Sequence, residues 1–281
     1  MTTGCGRIVL VGTPIGNLGD LSPRAVSALG EADVIFCEDT RRTRKLLSAS
    51  SVAAPKLYSL HQHNERAASA NALSMAIAGS CVAVVSDAGM PGVSDPGSLL
   101  VRLAANAQIP VEVIPGPSAF VLALVASGLP TERFCFEGFL PRQGRERKER
   151  LAQIASELRT VVLYEAPHRS RQTLADLAAA CGNDREAAVA RELTKLHETV
   201  WRGTLGEAVS WSEESEARGE WVIVVAGAPP ADDVTDDEIV AALMQRLESG
   251  ATRRVAVDEV AGALRVSRRR VYQLALGAEW G

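Results

Sequence analysis

Thirteen residues from Val85 to Gly97, VSDAGMPGVSDPG, pack two aspartates, two prolines and three glycines directly behind an apolar run. A segment so composed cannot be core. Asp87 and Asp95 carry carboxylates suited to an ammonium group or to ribose hydroxyls. Gly89, Pro91 and Gly92 shape a backbone whose amides and carbonyls can approach a flat ligand. Asp95 also has a structural reading, as the cap of a helix that begins at Pro96. Two more turns have the same character. VGTPIGNLGD, Val11 to Asp20, places Gly12 and Pro14 after an apolar run, and IPGPSA, Ile114 to Ala119, places Gly116 and Ser118 there, with Pro117 in the first turn of a helix. Open α/β sheets bind ligands at the carboxyl ends of their strands, so three such turns would surround one crevice. The spacing matches neither G-x-G-x-x-G nor G-x-x-x-x-G-K-[ST], which argues against a dinucleotide or nucleoside triphosphate fold.

Groups able to move a proton lie later in the chain. Only four histidines occur, and two fall near other titratable residues: His168 in YEAPHR beside Glu165, and His197 in RELTKLHE with Glu192, Lys195 and Glu198. The catalytic candidates are Glu165, His168, Lys195 and Glu198. An equal alternative is a strand end at which Glu165 pairs with Arg169. Cationic residues form three clusters. Arg41, Arg42 and Arg44 follow Asp39 or Thr40 as a helix cap, and a helix N-terminus with arginines suits phosphate. Arg142 and Arg145 open a run through Arg147, Lys148 and Arg150, and the tail carries Arg253, Arg254, Arg265, Arg268, Arg269 and Arg270. With a net charge of −4, local patches rather than global charge must meet a polyanion. Each run taken singly also reads as a solvated helix face.

The elements that would position these groups follow from the patterning. Short β-rich runs at Ile8–Val11, Val34–Cys37, Leu57–Ser59, Val82–Val85 and Val111–Ile114 alternate with helical stretches, predicting βα units and a mainly parallel sheet. A break at Gly128–Thr131 separates a second half, with strands at Phe134–Glu137, Thr160–Tyr164, Ala187–Arg191, Glu198–Arg202 and Trp221–Val225. Helices are expected from about Arg145 to Leu158 and from Arg169 to Ala180. Ala228–Asp233, with two prolines and two aspartates, reads as a linker to a helical tail, in which Ser267 caps the last helix. The division is therefore 1–128, 129–228 and 229–281. The five cysteines are dispersed, with no C-x-x-C pair, so reduced thiols and no zinc are expected. No apolar run reaches membrane-spanning length and none resembles a signal peptide, which points to a cytoplasmic protein.

Taken in order, VGTPIGNLGD, CEDTRRTRKLL, SDAGMPGVSDPG, IPGPSA, GFLPR, YEAPHR and RELTKLHE resemble the tetrapyrrole methylases, and within them the branch that 2′-O-methylates cytidine in small-subunit ribosomal RNA. The likeness runs from Arg7 to about Val225 and more weakly through the tail. It implies an α/β fold of two methylase domains with a small helix-turn-helix-like tail, S-adenosylmethionine folded in the cleft, and a homodimer. The cofactor loops would be those of Gly12, Pro14, Asp87, Gly89, Pro91, Gly92, Asp95, Gly116 and Ser118. Tyr164 and the YEAPHR and RELTKLHE segments would form the opposite wall. The substrate implied is 16S rRNA of the small ribosomal subunit, at cytidine 1402, bound through Arg41, Arg42, Arg44, Arg142, Arg145, Arg169, Arg268 and Arg269, without a metal, a membrane or DNA. The runner-up is a tetrapyrrole C-methylase of corrin or sirohaem synthesis. A third class is a ribosome-binding protein that keeps the scaffold without its chemistry, against which the intact glycine and aspartate loops argue. Deleting the residues after Asp233 is expected to raise the KM for RNA and flatten its dependence on salt, because fewer phosphate contacts release fewer counterions. An unchanged salt slope in a titration of transfer rate would exclude the tail from the RNA site.

Overall fold

The computed structural model describes residues 6–214, 219–229, 234–264 and 266–277. Sequence expectations for Cys5, for 230–233 of the linker and for Arg265 fall outside them. The first sheet joins β1 (Arg7–Val11), β2 (Val34–Cys37), β3 (Lys56–Ser59), β4 (Cys81–Val85) and β5 (Val111–Ile114) in the order β3-β2-β4-β1-β5, every pair parallel. Alternating side chains explain burial on both faces. Ile8, Leu10, Phe36, Val82 and Val84 enter one core cluster, and Val9, Val11, Ile35, Ala83 and Val85 enter the other. Helices α1 (Pro23–Glu31), α2 (Thr40–Ala49), α3 (Glu65–Ile77) and α4 (Ser98–Asn106) connect these strands.

Helix α5 (Ala119–Ser127) leaves β5 and packs on a second sheet, through Ala123 and Leu124 against Val162, Ala188, Val222 and Val224. That sheet holds β6 (Phe134–Phe139), β7 (Thr160–Glu165), β8 (Glu186–Arg191), β9 (Thr199–Thr204) and β10 (Trp221–Val225) in the order β6-β7-β10-β8-β9. Only β6 and β7 run parallel, and the register shifts between Phe136 and Gly138. Its far face packs Leu163, Val189, Trp221 and Ile223 against α6 (Gly144–Ser156), α7 (Ser170–Cys181) and α8 (Leu205–Glu214). Both sheets belong to one compact unit that ends at Gly227, and a second unit begins at Ala228.

In the second unit, α9 (Asp236–Glu248), α10 (Arg253–Ala263) and α11 (Arg268–Gly277) close on Ile239, Leu243, Val257, Val260 and Val271. Thr235 and Glu238 form a reciprocal capping box at α9, Thr252 caps α10, and the Ser267 hydroxyl accepts from the Arg270 N–H at 3.2 Å.

Several boundaries differ from the sequence reading for local reasons. Helix α4 starts at Ser98, behind Gly97 at φ 134°, so Asp95 is not its cap and Pro96 not its first residue. Helix α5 starts after Pro117, and Ser118 stands before it without capping it through its side chain. β9 starts at Thr199 because the Glu198 carboxylate turns back to accept the Thr194 N–H at 2.6 Å. Leu163 is fully buried at the centre of the second core. Leu163→Ala is expected to cost about 2–5 kcal/mol in urea denaturation through the cavity it leaves.

Candidate active site

The site begins with the order of strands. β4, β1 and β5 are neighbours, so the loops that leave their carboxyl ends must emerge side by side. They are bound together immediately. Thr13 N–H donates to the Gly89 carbonyl at 2.9 Å and Gly89 N–H returns to Thr13 at 3.0 Å, while Gly12 N–H donates to Ile114. Gly12 and Gly116 cross so closely that a Cβ on Gly12 would lie 2.6 Å from the Gly116 Cα, and one on Gly116 would lie 2.7 Å from the Gly12 Cα. Only glycine fits either position. In the β4 loop, Gly89 and Gly92 adopt φ of 80° and 86°, and the Gly92 N–H closes the turn on the Pro96 carbonyl.

Above this junction lies a cavity of about 290 Å³. Gly89, Asp95 and Ser118 line one side, and Tyr164, Glu165 and Phe139 of the second sheet line the other. Gly12 and Gly116 lie below it as the crossing, and Pro91 and Gly92 shape the loop without lining the cavity. Pro14 and Asp87 face a separate cavity of about 230 Å³. Burial, then the nearby carboxylates of Glu38 and Asp87, push Asp95 up to about 6, against an opposing effect of the Ser86 hydroxyl. A half-dehydrated carboxylate of this kind gains from a cation. The Tyr164 hydroxyl accepts the Phe120 N–H at 3.3 Å, and burial raises its pKa. The polar groups of this cavity therefore suit a cationic ligand held against aromatic walls.

The acid–base candidates have other engagements. The Glu165 side chain is fully buried; one oxygen accepts the Ala166 N–H at 2.8 Å and the other the Thr173 hydroxyl at 2.6 Å, with the Arg169 Nε at 3.4 Å. Arg169 also donates to the Leu140 carbonyl at 2.8 Å. The alternative of a Glu165–Arg169 pair is thus present, and it turns Arg169 inward from the surface where RNA contact was expected. Lys195 lies 2.8 Å from Glu192 and 3.4 Å from Glu220, a residue of the cavity lining. Burial would lower its pKa, but Glu192 and Glu220 outweigh burial and raise it, so the ammonium stays charged and is no base. Its Cγ abuts Gly16, where a Cβ would approach to 2.3 Å. Glu198 is occupied by its bond to Thr194, and His168 and His197 are exposed. Glu192 and Thr194 hold φ of 54° and 67°, the left-handed region that costs a side chain about 1–3 kcal/mol and concentrates at functional loops.

The arginines separate by role in three dimensions. Asp39 caps α2 by accepting the Arg41 and Arg42 N–H groups, leaving the side chains of Arg41 and Arg44 exposed. Arg42 reaches Asp87 at 3.2 Å. Arg142 is exposed and Arg145 pairs with Glu149 along its helix, but Arg147, from the same run, is buried and bonds Asp176, Thr173 and the Pro141 carbonyl. In the second unit, Arg268 bonds Asp258 and Arg270 bonds Asp236, while Arg269 is exposed with no ion-pair partner among the described residues. A larger cavity of about 920 Å³ lies beside β6, where Arg150–Glu137 and Arg159–Glu157 pairs neutralise one another. Sequence reasoning passed over Ile15, Met90, Phe139 and Glu220 in the first cavity's lining. Ile15, Met90 and Phe139 sit inside the motifs VGTPIGNLGD, SDAGMPGVSDPG and GFLPR, whereas Glu220 carries no signal apart from its place in space.

Residues 7–209 match the family model described as Tetrapyrrole (Corrin/Porphyrin) Methylases. The chain is 45% identical to a Synechocystis sp. protein named Ribosomal RNA small subunit methyltransferase I, over 98% of this chain and 99% of that one. It is 46% identical to a Xylella fastidiosa protein of the same name, over 92% and 96%. In fold it is similar to a uroporphyrin-III C-methyl transferase from Thermus thermophilus complexed with S-adenyl homocysteine, at 23% identity and a TM-score of 0.54, over 78% of this chain and 97% of that one. Gly12→Ala is expected to part the crossing loops, lower the melting temperature and weaken ligand binding in the cavity at least tenfold. Gly262→Ala, in open space on α10, is expected to stabilise its helix by up to about 1 kcal/mol, and paired thermal melts and binding isotherms check both.

Proposed function

The chain belongs to the tetrapyrrole (corrin/porphyrin) methylases, S-adenosylmethionine-dependent methyltransferases, and from that premise we propose that it methylates small-subunit ribosomal RNA at the 2′-oxygen of a cytidine. The observation that carries this reading is the reach of the likeness. The Synechocystis relative matches 98% of the chain, including the helical unit beyond residue 227, whereas the Thermus uroporphyrin enzyme is itself covered almost entirely by 78% of this chain. The helical unit thus accompanies the RNA-named relative. The second reading, a tetrapyrrole substrate, has the shared fold in its favour.

S-adenosylmethionine, when bound, supplies a methyl carbon on a cationic sulfur and departs as neutral S-adenosylhomocysteine. Asp95 suits the cationic ligand, because a carboxylate short of water is stabilised by a positive partner. Gly89 brings its backbone to the ligand at φ 80°, and Tyr164 and Phe139 keep water from the reacting atoms. The methyl group so supplied would pass to the ribose 2′-oxygen, whose hydroxyl proton would be released to solvent. Glu165 and Lys195 are positioning residues here: the first has both oxygens occupied, and the second is held charged against Gly16. Alignment of two reactants can supply about 7–11 kcal/mol, more than the roughly 100- to 10,000-fold of a single base. The protein acts in the cytoplasm as a homodimer in this reading, and Val121 and Val125, exposed on α5, would offer it an apolar contact.

Labelled methyl transfer to small subunits from cells lacking the protein is expected to leave label in 2′-O-methylcytidine after nuclease digestion. Retained cofactor binding with no labelled RNA would instead favour the tetrapyrrole substrate. A second expectation follows from Asp95. Its pKa is higher in the folded protein than the ordinary 3.8, so the ligand-free protein loses stability as pH rises from about 4 through about 6. A cationic cofactor favours the ionised form, so its Kd should weaken by up to about tenfold per pH unit below 6. Calorimetry from pH 5 to 8 checks this, with Asp95→Asn expected to flatten the profile.

A further inference from the structure

Across one layer of backbone from the cofactor cavity lies the second cavity, of about 230 Å³. The dividing wall is the Thr13–Gly89 bridge, so Ile15 and Gly89 face one side while Pro14 and Gly16 face the other. Pro14, Leu18 and Leu46 give this space apolar surfaces, and Arg42 and Asp87 stand at its edge with Arg42 Nη1 3.2 Å from Asp87 Oδ2. Its volume is enough for one nucleobase.

Resting on the ribosomal RNA reading, we propose that this cavity receives the unstacked target base and that the Arg42–Asp87 pair selects cytosine. The pair presents a carboxylate acceptor beside a guanidinium donor. Cytosine offers the complement, an exocyclic N4–H donor beside the N3 and O2 acceptors, whereas uracil places an O4 acceptor and an N3–H donor at those positions. Asp87 is aimed before any base arrives, because its Oδ1 accepts the Asp39 N–H at 3.0 Å, and Asp39 is itself fixed as the cap of α2. A carboxylate has about four acceptor sites and a guanidinium five donors, so these contacts leave capacity on both. Leu18, 46% exposed, would be covered by the entering ring. Arg41 and Arg44 stand exposed on the same helix, placed for the phosphates on either side. Proteins that read RNA sequence commonly take single-stranded bases splayed out in this manner. A base seated here would leave its own ribose toward the Thr13–Gly89 wall that divides the two cavities.

The test uses the full-length protein and small subunits reconstituted with C, U or A at the target position, comparing wild type with Asp87→Asn, Arg42→Ala and Leu46→Trp. Adenine is included because its N6–H and N1 mimic the cytosine pattern on a larger base. Wild type is expected to favour C over U by about 10- to 100-fold in kcat/KM, and to reject A on size. Asp87→Asn and Arg42→Ala should each shrink that ratio at least fivefold. Leu46→Trp should fill the cavity and cut transfer at least tenfold, with the Kd for S-adenosylmethionine within twofold of wild type. Should Leu46→Trp melt early, Arg42→Ala, an exposed side chain, decides the matter. Label in RNA with an unchanged C-to-U ratio in both polar variants overturns this proposal alone. No labelled RNA from wild type, with cofactor still bound, overturns the ribosomal RNA reading and this proposal with it.

Discussion

Everything in the site depends on how closely two loops approach. β1 lies between β4 and β5, and at its carboxyl end Gly12 passes over Gly116 with no room for a methyl group on either. That crossing, with the paired hydrogen bonds of Thr13 and Gly89, turns three separate turns into one rigid floor. Cavities then form on either side of it, one facing the second sheet and one facing α2. A larger residue at the crossing would shift both at once, because they share the same wall.

The second sheet contributes by packing as much as by chemistry. α5 leaves the floor and buries Ala123 and Leu124 against β7, β8 and β10, which brings Tyr164 and Phe139 opposite the glycine loops. Glu165 is then fixed from behind: Thr173 donates to it, and Arg147 donates to Thr173, Asp176 and the Pro141 carbonyl. Breaking such a buried network from one side leaves an uncompensated charge, which is far more costly than losing an exposed ion pair. The network therefore holds GFLPR and YEAPHR in one relative position, and the aromatic wall keeps its shape whether or not Glu165 ever touches a substrate.

Electrostatics divides the molecule in a similar way. Carboxylates of Glu38, Asp87 and Asp95 gather behind the floor, where burial raises the pKa of Glu38 and of Asp95. Arg42 answers Asp87 at the edge of this group, and the exposed Arg41 and Arg44 face outward from the same helix. A chain with net charge −4 thus places half-buried carboxylates and exposed arginines on adjacent surfaces.

The sequence by itself determined the strands of both sheets to within a residue or two, because apolar β-branched runs bounded by glycine and proline have few other uses. It also located the three glycine loops, since backbone that must approach a ligand or another chain segment excludes most residue types. It did not determine which polar residue performs which task. Asp87 and Asp95 stand eight positions apart in one motif yet open on different cavities, and Arg145 and Arg147 are two apart with one in solvent and the other buried. Asp95 looked equally suited to capping a helix until Gly97, at φ 134°, took that place. Such choices depend on which side of a strand end or helix faces a neighbouring element. That is settled by contacts distant in sequence, so the tertiary structure alone decided them.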